Sequence, residues 1–530
     1  METTNNSGRR LSRRGFLGLG GAAALVAGAS LAGCAPRSGA TAEDKMASTG
    51  AAPSIEGIEW ADEADAVICG YGAAGVAAAV EVTEAGGSAL VLEMAGEPGG
   101  ATRMSGGLVY LGGGTRLQKA CGLEDSIDNM KAYVKAIGTP VAAEEAMMDL
   151  FCEKSPELFD WLEAHGVEFD EAADTEGRNV VGPTGISLEY SGNERGWEYA
   201  QIATPVPRGH TPRHQDMAEA AAGLFDPLAA CAEDGGARVL YNAEVTSLIQ
   251  DETGRVVGVW ATVDGEPKAY RATKGVLLST GAFTLNEEMC ADYCPEGVIA
   301  TGKTAHPNDM GSGIKMGLAI GAATRGMGQA SFQRFVYIFG NGPTRGMLVD
   351  KRGLRIVDEA AYSNWVGRAI WTMSPEKAYL VMDDEMAQDL DPLFGSTMEI
   401  VASADTIEEL ARALDLEEAT LANTMKRYNE LAEAGDDADF HKDPAFLAPL
   451  VKAPFHAVNM DATQASFHSL GGLKINEKAE VISVSGDVIP GLYSAGRNAC
   501  AIFGNYYGSG SSIAEGLMFG RFAGQSIAAQ

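Results

Sequence analysis

Short apolar runs around a helical stretch mark the first predicted unit of the chain. Residues 65–69 are mostly apolar, as in a buried strand, and an alanine-rich stretch with helical character runs to about Ala85. A second apolar run, 88–92, is followed by Glu93. This order predicts a strand, a helix and a second strand, which is typical of an α/β fold.

Similar stretches occur later in the chain. Residues 275–283 predict a strand that ends in a small-residue turn, and residues 489–497 repeat that pattern. Between them, residues 346–357 are strand-like, and residues 406–435 have helical periodicity with mixed charge and a stop signal at Gly435. We therefore expect strands and helices to alternate along the chain.

Composition narrows the classes of function. The chain has 66 glycines among 530 residues, about 12%, against a usual share of about 7%. In a globular chain this surplus predicts tight turns and backbone that approaches a ligand closely. The formal net charge of −32 repels phosphate backbones, so we expect no nucleic-acid partner.

The N-terminal residues have the pattern of an export signal. Arg9, Arg10, Arg13 and Arg14 precede an apolar run at 16–33. That run is too short and too weakly hydrophobic for a good membrane-spanning helix. Removal of the signal would make the remaining chain still more acidic.

Two short motifs refine this prediction. Residues 12–17 resemble the twin-arginine export motif, and residues 31–34 resemble a bacterial lipobox. We expect residues 1–34 to form the signal, Cys34 to be lipidated and residues 35–58 to be a flexible tether. An uncleaved anchor, or ordinary cleavage nearby, is the alternative. The protein would be extracytoplasmic and held at the cell membrane only through its lipid anchor.

The cysteines do not indicate a metal site or a disulfide framework. Seven cysteines follow Cys34, an odd number at irregular spacing, and Cys290 and Cys294 form an isolated CxxxC pair. The chain has no CxxCH haem-attachment motif and no HExxH zinc motif. We therefore expect no metal.

A glycine motif follows the first predicted strand. Residues 70–75 read GYGAAG, in which Gly70 permits a tight turn, Gly72 lets the backbone approach a pyrophosphate, and Gly75 lets helix and strand pack closely. Glu93 lies where a carboxylate would hold ribose hydroxyls. Together these features predict a dinucleotide site.

The next segment favours FAD over NAD. A second glycine- and serine-rich loop, residues 97–107, follows the acidic strand end directly. A nicotinamide dehydrogenase would continue with alternating helices and strands, whereas a loop here resembles the one that wraps the flavin in FAD enzymes. The segment 489–497, IPGLYSAGR, resembles the strand that closes many FAD domains.

From about residue 63 onward, the chain resembles the FAD-dependent fumarate reductase/succinate dehydrogenase flavoprotein superfamily. More narrowly, it resembles the soluble branch with 3-ketosteroid dehydrogenases and urocanate and fumarate reductases. The matching segments are 70–75, 105–118, 253–259, 275–286, 311–313, 471–481 and 491–523. The resemblance implies an α/β fold with a Rossmann-like FAD-binding domain of the GR2 type, at 59–330 and 455–530, and an inserted α+β capping domain at 331–454.

The resemblance also assigns residues to the FAD site. The expected cofactor-binding residues are Gly70, Gly72, Ala73, Ala74, Gly75, Glu93, Gly100, Ala101, Thr102, Ser105, Gly106, Gly107, Val245, Gly281, Gly496, Arg497, Ser512 and Ile513.

Two departures from the fumarate reductases concern the substrate. Those enzymes clamp two carboxylates with arginines, one in a GANRLGGNA loop and one, the proton donor, shortly after RFVNE. Here the first loop, 503–512, contains no arginine, and in the second segment, 355–363, the donor position holds Ser363 or Tyr362. A dicarboxylate needs bidentate cationic partners, so these departures favour a conjugated ketone.

The same loop resembles the SYAGAG loop of ketosteroid dehydrogenases. On that alignment Tyr506 and Gly510 hold the ketone oxygen and stabilise an enolate, with Tyr507 as the neighbouring alternative. Tyr362 would lie near the tyrosine that exchanges a proton with substrate carbon, although it is one residue off the family position. His468 matches a substrate-binding histidine of the fumarate-reductase branch.

The resemblance implies an exported oxidoreductase that reduces a C=C bond conjugated to a carbonyl, as in a 3-oxosteroid-like enone. Hydride would come from flavin N5 and a proton from a tyrosine, which is neutral at its ordinary pKa of about 10. Electrons would be exchanged with a separate cytochrome, flavoprotein or quinol.

Three alternatives stay open. The first is a 3-ketosteroid dehydrogenase that works oxidatively. The second is a reductase of unsaturated carboxylates such as fumarate or urocanate, which requires His468 and a cap arginine such as Arg334, Arg345 or Arg368 to line the pocket. The third is a non-catalytic flavin electron carrier.

Overall fold

The computed structural model describes residues 55–138, 144–176, 184–336, 341–390, 398–500 and 502–530. The predicted export signal, Cys34 and nearly all of the expected tether lie outside these ranges. None of the described helices is both long enough and apolar enough to cross a membrane.

The strands, in chain order, are β1 (Trp60–Cys69), β2 (Ala89–Leu92), β3 (Val109–Tyr110), β4 (Ala173–Asp174), β5 (Leu188–Glu189), β6 (Gly209–His210), β7 (Arg238–Leu240), β8 (Ala243–Gln250), β9 (Val256–Val263), β10 (Glu266–Leu278), β11 (Gly302–Lys303), β12 (Thr324–Arg325), β13 (Ala330–Gln333), β14 (Met347–Asp350), β15 (Ala378–Met382), β16 (Ile400–Ala404), β17 (Phe455–Asn459), β18 (Ser466–Ser469), β19 (Gly472–Leu473), β20 (Glu480–Ile482) and β21 (Val488–Ser494).

The helices are α1 (Ala73–Glu84), α2 (Gly100–Arg103), α3 (Arg116–Ala120), α4 (Ile127–Ile137), α5 (Glu145–Ala164), α6 (Trp197–Ala200), α7 (Met217–Asp234), α8 (Glu287–Tyr293), α9 (Glu296–Ile299), α10 (Ser312–Ala319), α11 (Asn341–Arg345), α12 (Ser363–Met373), α13 (Asp384–Gln388), α14 (Ile407–Ala413), α15 (Glu418–Ala434) and α16 (Ser511–Ala528).

The largest sheet has the order β20-β21-β10-β1-β2-β7, and β9 and β8 extend it from β10. Its central pairs, β1–β2, β1–β10, β2–β7 and β10–β21, are parallel. Residues 66–69 of β1 are fully buried, as is typical of a central parallel strand whose two faces are both covered. The predicted strand–helix–strand unit is β1, α1 and β2, so the α/β prediction is confirmed.

Helices α1 and α16 are distant in the chain and pack with their backbones in contact. A Cβ atom on Gly520 would lie 2.3 Å from the Ala74 carbonyl oxygen, and one on Gly524 would lie 2.7 Å from the Ala78 carbonyl oxygen. Real Cβ atoms do not approach oxygen this closely, so only glycine fits at these two positions. The contact brings the N-termini of α1 and α16 to the same edge of the main sheet.

A second, antiparallel sheet lies within the segment expected to form the cap and has the order β14-β15-β17-β16. The helix predicted at 406–435 is two helices, α14 and α15, because the chain turns at 414–417, where Asp415 has a φ of 53°. Gly435 ends α15 with a φ of 69°, as expected. β17 belongs to this sheet although it follows residue 454, and the domain boundaries themselves stay predictions.

A three-stranded sheet, β11-β18-β13, forms the floor of the site described below. In the antiparallel pair β13–β18, Ser331 is opposite His468 and Gln333 is opposite Ser466. Opposite residues share a face and alternate residues return to it, so these four polar side chains lie on one face. Phe332 and Phe467 lie on the other face and are buried.

Candidate functional site

A cleft of about 510 Å³ lies where β1, β2, β10 and β21 end and where α1 and α16 begin. Such a position, at the carboxyl ends of parallel strands, is where α/β folds bind ligands. The floor sheet contributes Lys303, Gln333 and His468 to the same cleft.

The glycine turn at 70–75 fits a pyrophosphate. Gly70 has a φ of 103°, and a Cβ atom on Gly75 would lie only 2.0 Å from the Gly70 carbonyl oxygen. A Cβ atom on Gly72, in contrast, would meet no protein atom closer than 3.6 Å. The missing side chain of Gly72 therefore opens the backbone toward the cleft, at the positive N-terminus of α1.

The carboxylate of Glu93 lies at the end of β2, is 7% exposed and lines the cleft. Its two oxygens accept hydrogen bonds from the backbone N–H groups of Tyr71, at 2.7 Å, and Ala95, at 2.8 Å. These bonds hold the side chain against the glycine turn. The position fits a group that accepts hydrogen bonds from ribose hydroxyls.

Most of the expected cofactor residues line this cleft. They are Gly70, Gly72, Ala73, Ala74, Glu93, Gly100, Ala101, Thr102, Ser105, Gly106, Val245, Gly281, Gly496, Arg497, Ser512 and Ile513. Gly75 and Gly107 do not line it. Gly75 packs on Gly70, and a Cβ atom on Gly107 would lie 2.3 Å from the Ala220 carbonyl oxygen. Both glycines therefore permit close backbone packing beside the cleft.

His468 lines the cleft and is 5% exposed. Its Nε2 atom is buried and has no hydrogen-bond partner among the described residues. Burial, helped by the charge of Arg497, holds the pKa of His468 well below its ordinary value. The imidazole is therefore neutral, and Nε2 is available to a ligand.

The structure brings Tyr507, and not Tyr506, to the cleft. Tyr507 lines it, is 7% exposed and meets the His468 ring edge-on at 4.8 Å, and burial raises the pKa of its phenol. Tyr506 is 37% exposed, is not among the lining residues and packs on the Trp365 ring at 5.1 Å. The resemblance to the ketosteroid dehydrogenase loop selected Tyr506, but an alignment does not report the direction in which a loop side chain points.

Tyr362 is fully buried and does not line the cleft itself. Its hydroxyl contacts Ser509 Oγ and accepts the Ser509 backbone N–H at 3.2 Å. Ser509 lines the cleft, so Tyr362 reaches it only through this serine. The sequence prediction missed Ser509, although it lies between the predicted Tyr506 and Gly510.

Gly510 lines the cleft and precedes α16 with a φ of 87°. A Cβ atom there would lie 2.3 Å from Leu108 Cδ2, and the Gly510 carbonyl accepts the Tyr110 N–H at 3.2 Å. Only glycine fits this left-handed turn, which begins α16 at the cleft.

Among the described residues that line the cleft, the lysine and arginine side chains are Lys303 and Arg497. Arg497 pairs with Asp309 at 3.0 Å. Arg334, Arg345 and Arg368, the three cap arginines named for the carboxylate alternative, do not line the cleft. Among the described residues, no pair of free arginines that could clamp two carboxylates lines the cleft.

The CxxxC pair is part of the packing. Cys294 Sγ donates to the Met327 carbonyl at 3.0 Å, Cys290 Sγ donates to the Thr284 carbonyl at 3.5 Å, and burial raises the pKa of both thiols. In the described part of the chain, no three His, Cys, Asp or Glu side chains are grouped so that they could hold a metal ion.

Glu515 of α16 lies beneath the segment 502–510, which we call the cleft loop. Its Oε1 atom accepts the backbone N–H groups of Ile502 and Phe503, each at 2.6 Å. Burial raises the pKa of the Glu515 carboxyl to about 7, and the two N–H groups oppose that rise. Sequence motifs gave no signal for this residue.

Residues 65–513 match the family described as FAD binding domain. The chain belongs to the FAD binding domain family. The match covers most of the chain, and it confirms FAD as the cofactor and the flavoprotein superfamily named from the sequence. The glycine turn, Glu93 and the open cleft fit this cofactor.

Relatives of this FAD binding domain protein include several redox enzymes. It is 36% identical to a 3-ketosteroid-Δ4-(5α)-dehydrogenase from Rhodococcus jostii, solved with 4-androstene-3,17-dione, with a TM-score of 0.85 over 90% of this chain and 100% of that one. It is 28% identical to a digoxin reductase from Eggerthella lenta, over 98% of this chain and 97% of the relative.

A third relative is an NADH:acrylate oxidoreductase from Vibrio harveyi, at 27% identity over 89% of this chain and 51% of the relative. The chain thus spans about half the length of that protein. The structural likeness confirms the predicted FAD-binding domain with a capping domain.

We expect replacement of Glu515 by glutamine to change how stability depends on pH. The pKa of the Glu515 carboxyl is about 7 in the native state and 4.5 ordinarily, so the native state binds the proton more tightly than the unfolded state does. The resulting stabilisation is complete below pH 4.5 and is lost as the pH rises through 7. Over that window the wild type should lose about 3 kcal/mol of unfolding free energy relative to Glu515→Gln.

Chemical denaturation at pH 4.5 and pH 7.5 measures this difference. Glu252→Gln, at an exposed turn residue, controls for the loss of one negative charge. Parallel pH curves for the wild type and Glu515→Gln would contradict the expected titration of this carboxyl.

Proposed function

We propose that this protein is an FAD-dependent oxidoreductase that reduces a C=C bond conjugated to a ketone, in a flat apolar molecule such as a 3-oxosteroid. The observation that carries the proposal is the pairing of neutral groups at the cleft. His468 Nε2 is buried without a partner among the described residues, beside the buried phenol of Tyr507. Neutral donors suit a ketone oxygen, whereas a dicarboxylate requires cations.

One relative supports a ketone substrate, and a second supports a reductase. The R. jostii structure is named for a 3-ketosteroid and contains 4-androstene-3,17-dione, and the E. lenta relative, which aligns over nearly its whole length, is named for digoxin reduction. The R. jostii protein is named a dehydrogenase, which favours oxidation of a saturated 3-ketosteroid as the second candidate.

The proposed roles of the side chains follow from their placement. Tyr507 and His468 donate hydrogen bonds to the ketone oxygen and stabilise the enolate as negative charge develops there. Gly510 supports this from the N-terminus of α16, where the helix dipole is positive. When bound, FAD supplies the two-electron chemistry of hydride transfer.

Proton transfer to the α-carbon is assigned to Ser509 and Tyr362. Ser509 lines the cleft, and the Tyr362 hydroxyl contacts its Oγ from behind. Ser509 can therefore give its hydroxyl proton to the substrate carbon while it receives one from Tyr362. This modifies the sequence hypothesis, in which Tyr362 alone protonates the substrate.

The location is proposed on sequence grounds alone. Arg13, Arg14 and Cys34 would direct twin-arginine export and lipid anchoring, and a separate cytochrome, flavoprotein or quinol would exchange electrons with the flavin.

The first prediction concerns substrate class. The reduced holoenzyme should be reoxidised fastest by 4-androstene-3,17-dione and only slowly by fumarate, acrylate or urocanate, because the buried neutral groups His468 and Tyr507 suit a ketone oxygen better than a carboxylate, and no arginine pair lines the described part of the cleft. Stopped-flow absorbance of the flavin measures both rates, and a saturated 3-ketosteroid is the control for non-specific reoxidation.

Faster reoxidation by the carboxylates would support the enoate alternative, and no reoxidation by any compound would support an electron carrier. Turnover of the saturated ketone with an artificial acceptor tests the oxidative direction.

A second prediction separates the two adjacent tyrosines. Tyr507→Phe should lower the rate of flavin reoxidation by about 100-fold, as is usual when one enolate-stabilising donor is removed, and should leave FAD bound. Tyr506→Phe keeps the ring that packs on Trp365, so it should retain a rate within about twofold of the wild type. Stopped-flow rates and flavin content check both variants. A large loss of rate in Tyr506→Phe, together with a nearly unchanged rate in Tyr507→Phe, would show that Tyr506 stabilises the enolate.

A third prediction tests export. Arg13→Lys combined with Arg14→Lys should keep the protein inside the cell, whereas Arg9→Lys with Arg10→Lys should not, because only the first pair belongs to the twin-arginine motif. Cell fractionation follows the protein, and mass spectrometry of the mature N-terminus reports a lipid on Cys34. Unchanged fractionation of the first variant would contradict this proposal.

A further inference from the structure

The cleft loop, residues 502–510, carries both Tyr507 and Ser509 and is held at its start, in its middle and near its end. At its start, the backbone N–H groups of Ile502 and Phe503 donate to one oxygen of Glu515, each at 2.6 Å. Near its end, the Ser509 N–H donates to the Ser191 carbonyl at 2.7 Å.

The middle of the loop is held through Asn505. Its backbone N–H donates to Gln329 Oε1 at 2.9 Å, and its side-chain oxygen accepts the Ala330 N–H at 3.0 Å and an Arg368 N–H at 2.9 Å. The partners in the middle and near the end of the loop are thus neutral groups and the permanently charged Arg368. Among these contacts of the described residues, the one at the start of the loop involves a carboxyl group that can gain or lose a proton near neutral pH.

No cation compensates the Glu515 carboxylate. It is 7% exposed, and no lysine or arginine of the described chain forms an ion pair with it. The ionisable side chains that face it are the Cys500 thiol and the Tyr507 phenol, and burial raises the pKa of both. The charge of Arg325 lowers the pKa of Cys500, and the charge of Arg497 lowers the pKa of Tyr507, but in both cases burial has the larger effect.

A glutamine could accept the same N–H groups without a buried charge. An ionised carboxylate binds N–H groups about twice as strongly as a neutral oxygen does, so gain of a proton weakens the hold on the loop start. Tyr507 follows Phe503 by four residues and needs a defined place beside the His468 ring, 4.8 Å away.

We propose that Glu515 is a positioning residue whose ionisation sets the placement of Tyr507 and Ser509 in the cleft. In the ionised form the two short hydrogen bonds fix the start of the cleft loop, and the loop presents both hydroxyl groups to the substrate. In the protonated form the loop start is held less firmly, and fewer molecules have both groups in place. The part of the test that measures activity rests on the proposed function.

The test is the pH profile of flavin reoxidation by 4-androstene-3,17-dione in the holoenzyme. This ketone does not titrate between pH 6 and pH 8, so the profile reports the protein and its reduced flavin, and comparison with Glu515→Gln isolates the part that depends on Glu515. In the wild type the rate at pH 6 should be about tenfold below that at pH 8, as expected for one group with a pKa near 7. In Glu515→Gln the same change should shrink to within about twofold, with FAD still bound.

Glu515→Asp is the matched variant, because it keeps the charge and shortens the reach. It should keep a pH-dependent rate but at a lower maximum at pH 8. A tenfold change that persists in Glu515→Gln, or a Glu515→Asp profile identical to the wild type, would overturn the proposal. If Glu515→Gln fails to fold, the aspartate variant decides the question alone.

A second readout needs no substrate. Tyr507 lines the same cleft as the cofactor residues, so its displacement should change the visible absorption of the oxidised flavin. We expect this absorption to show an inflection near pH 7 in the wild type and none in Glu515→Gln. If no compound reoxidises the flavin, the proposed function fails while this readout still tests Glu515. An inflection that is equal in both proteins overturns the role of Glu515 and leaves the proposed function intact.

Discussion

Backbone contact between segments far apart in the chain is the constraint on which the cleft depends. The turn at 70–75 can form only if Gly75 lies against the Gly70 carbonyl, and α16 can approach α1 only through Gly520 and Gly524. These contacts bring two helix N-termini to one edge of the main sheet. The glycine surplus of the sequence therefore has a structural basis: it lets helices and turns meet without intervening side chains.

The chemistry of the cleft follows from burial. At its floor, neutral imidazole and phenol groups lie in a site where charged forms are disfavoured, and the cap arginines are used elsewhere in the fold. Arg368, for example, pairs with Glu296 at 2.8 Å and also reaches Asn505. A cap arginine thus supports the cleft loop instead of facing the cleft, which agrees with a substrate that carries no paired carboxylates.

Local patterns predicted the parts of this structure that depend on local physics. The strand, glycine turn, helix and acidic residue at 65–93 occur in the predicted order, because apolar runs and glycine spacing act within a few residues. Most expected cofactor residues also line the cleft. The helical periodicity at 406–435 corresponds to two helices, α14 and α15, since Asp415 between them takes a left-handed turn that periodicity does not report. Side-chain direction in the cleft loop depends on segments that the fold brings together. The resemblance to a family loop therefore could not distinguish Tyr506 from Tyr507, and it did not reveal the contact of Tyr362 with Ser509.

The order of the elements along the chain also constrains biosynthesis. The cleft combines the turn at 70–75 with Gly510, Ser512 and Gly516, which are synthesised more than 400 residues later. A nascent chain on the ribosome therefore has half of its cofactor site long before the other half exists. The complete cofactor site can therefore form only after α16, the last helix of the described chain, has been synthesised.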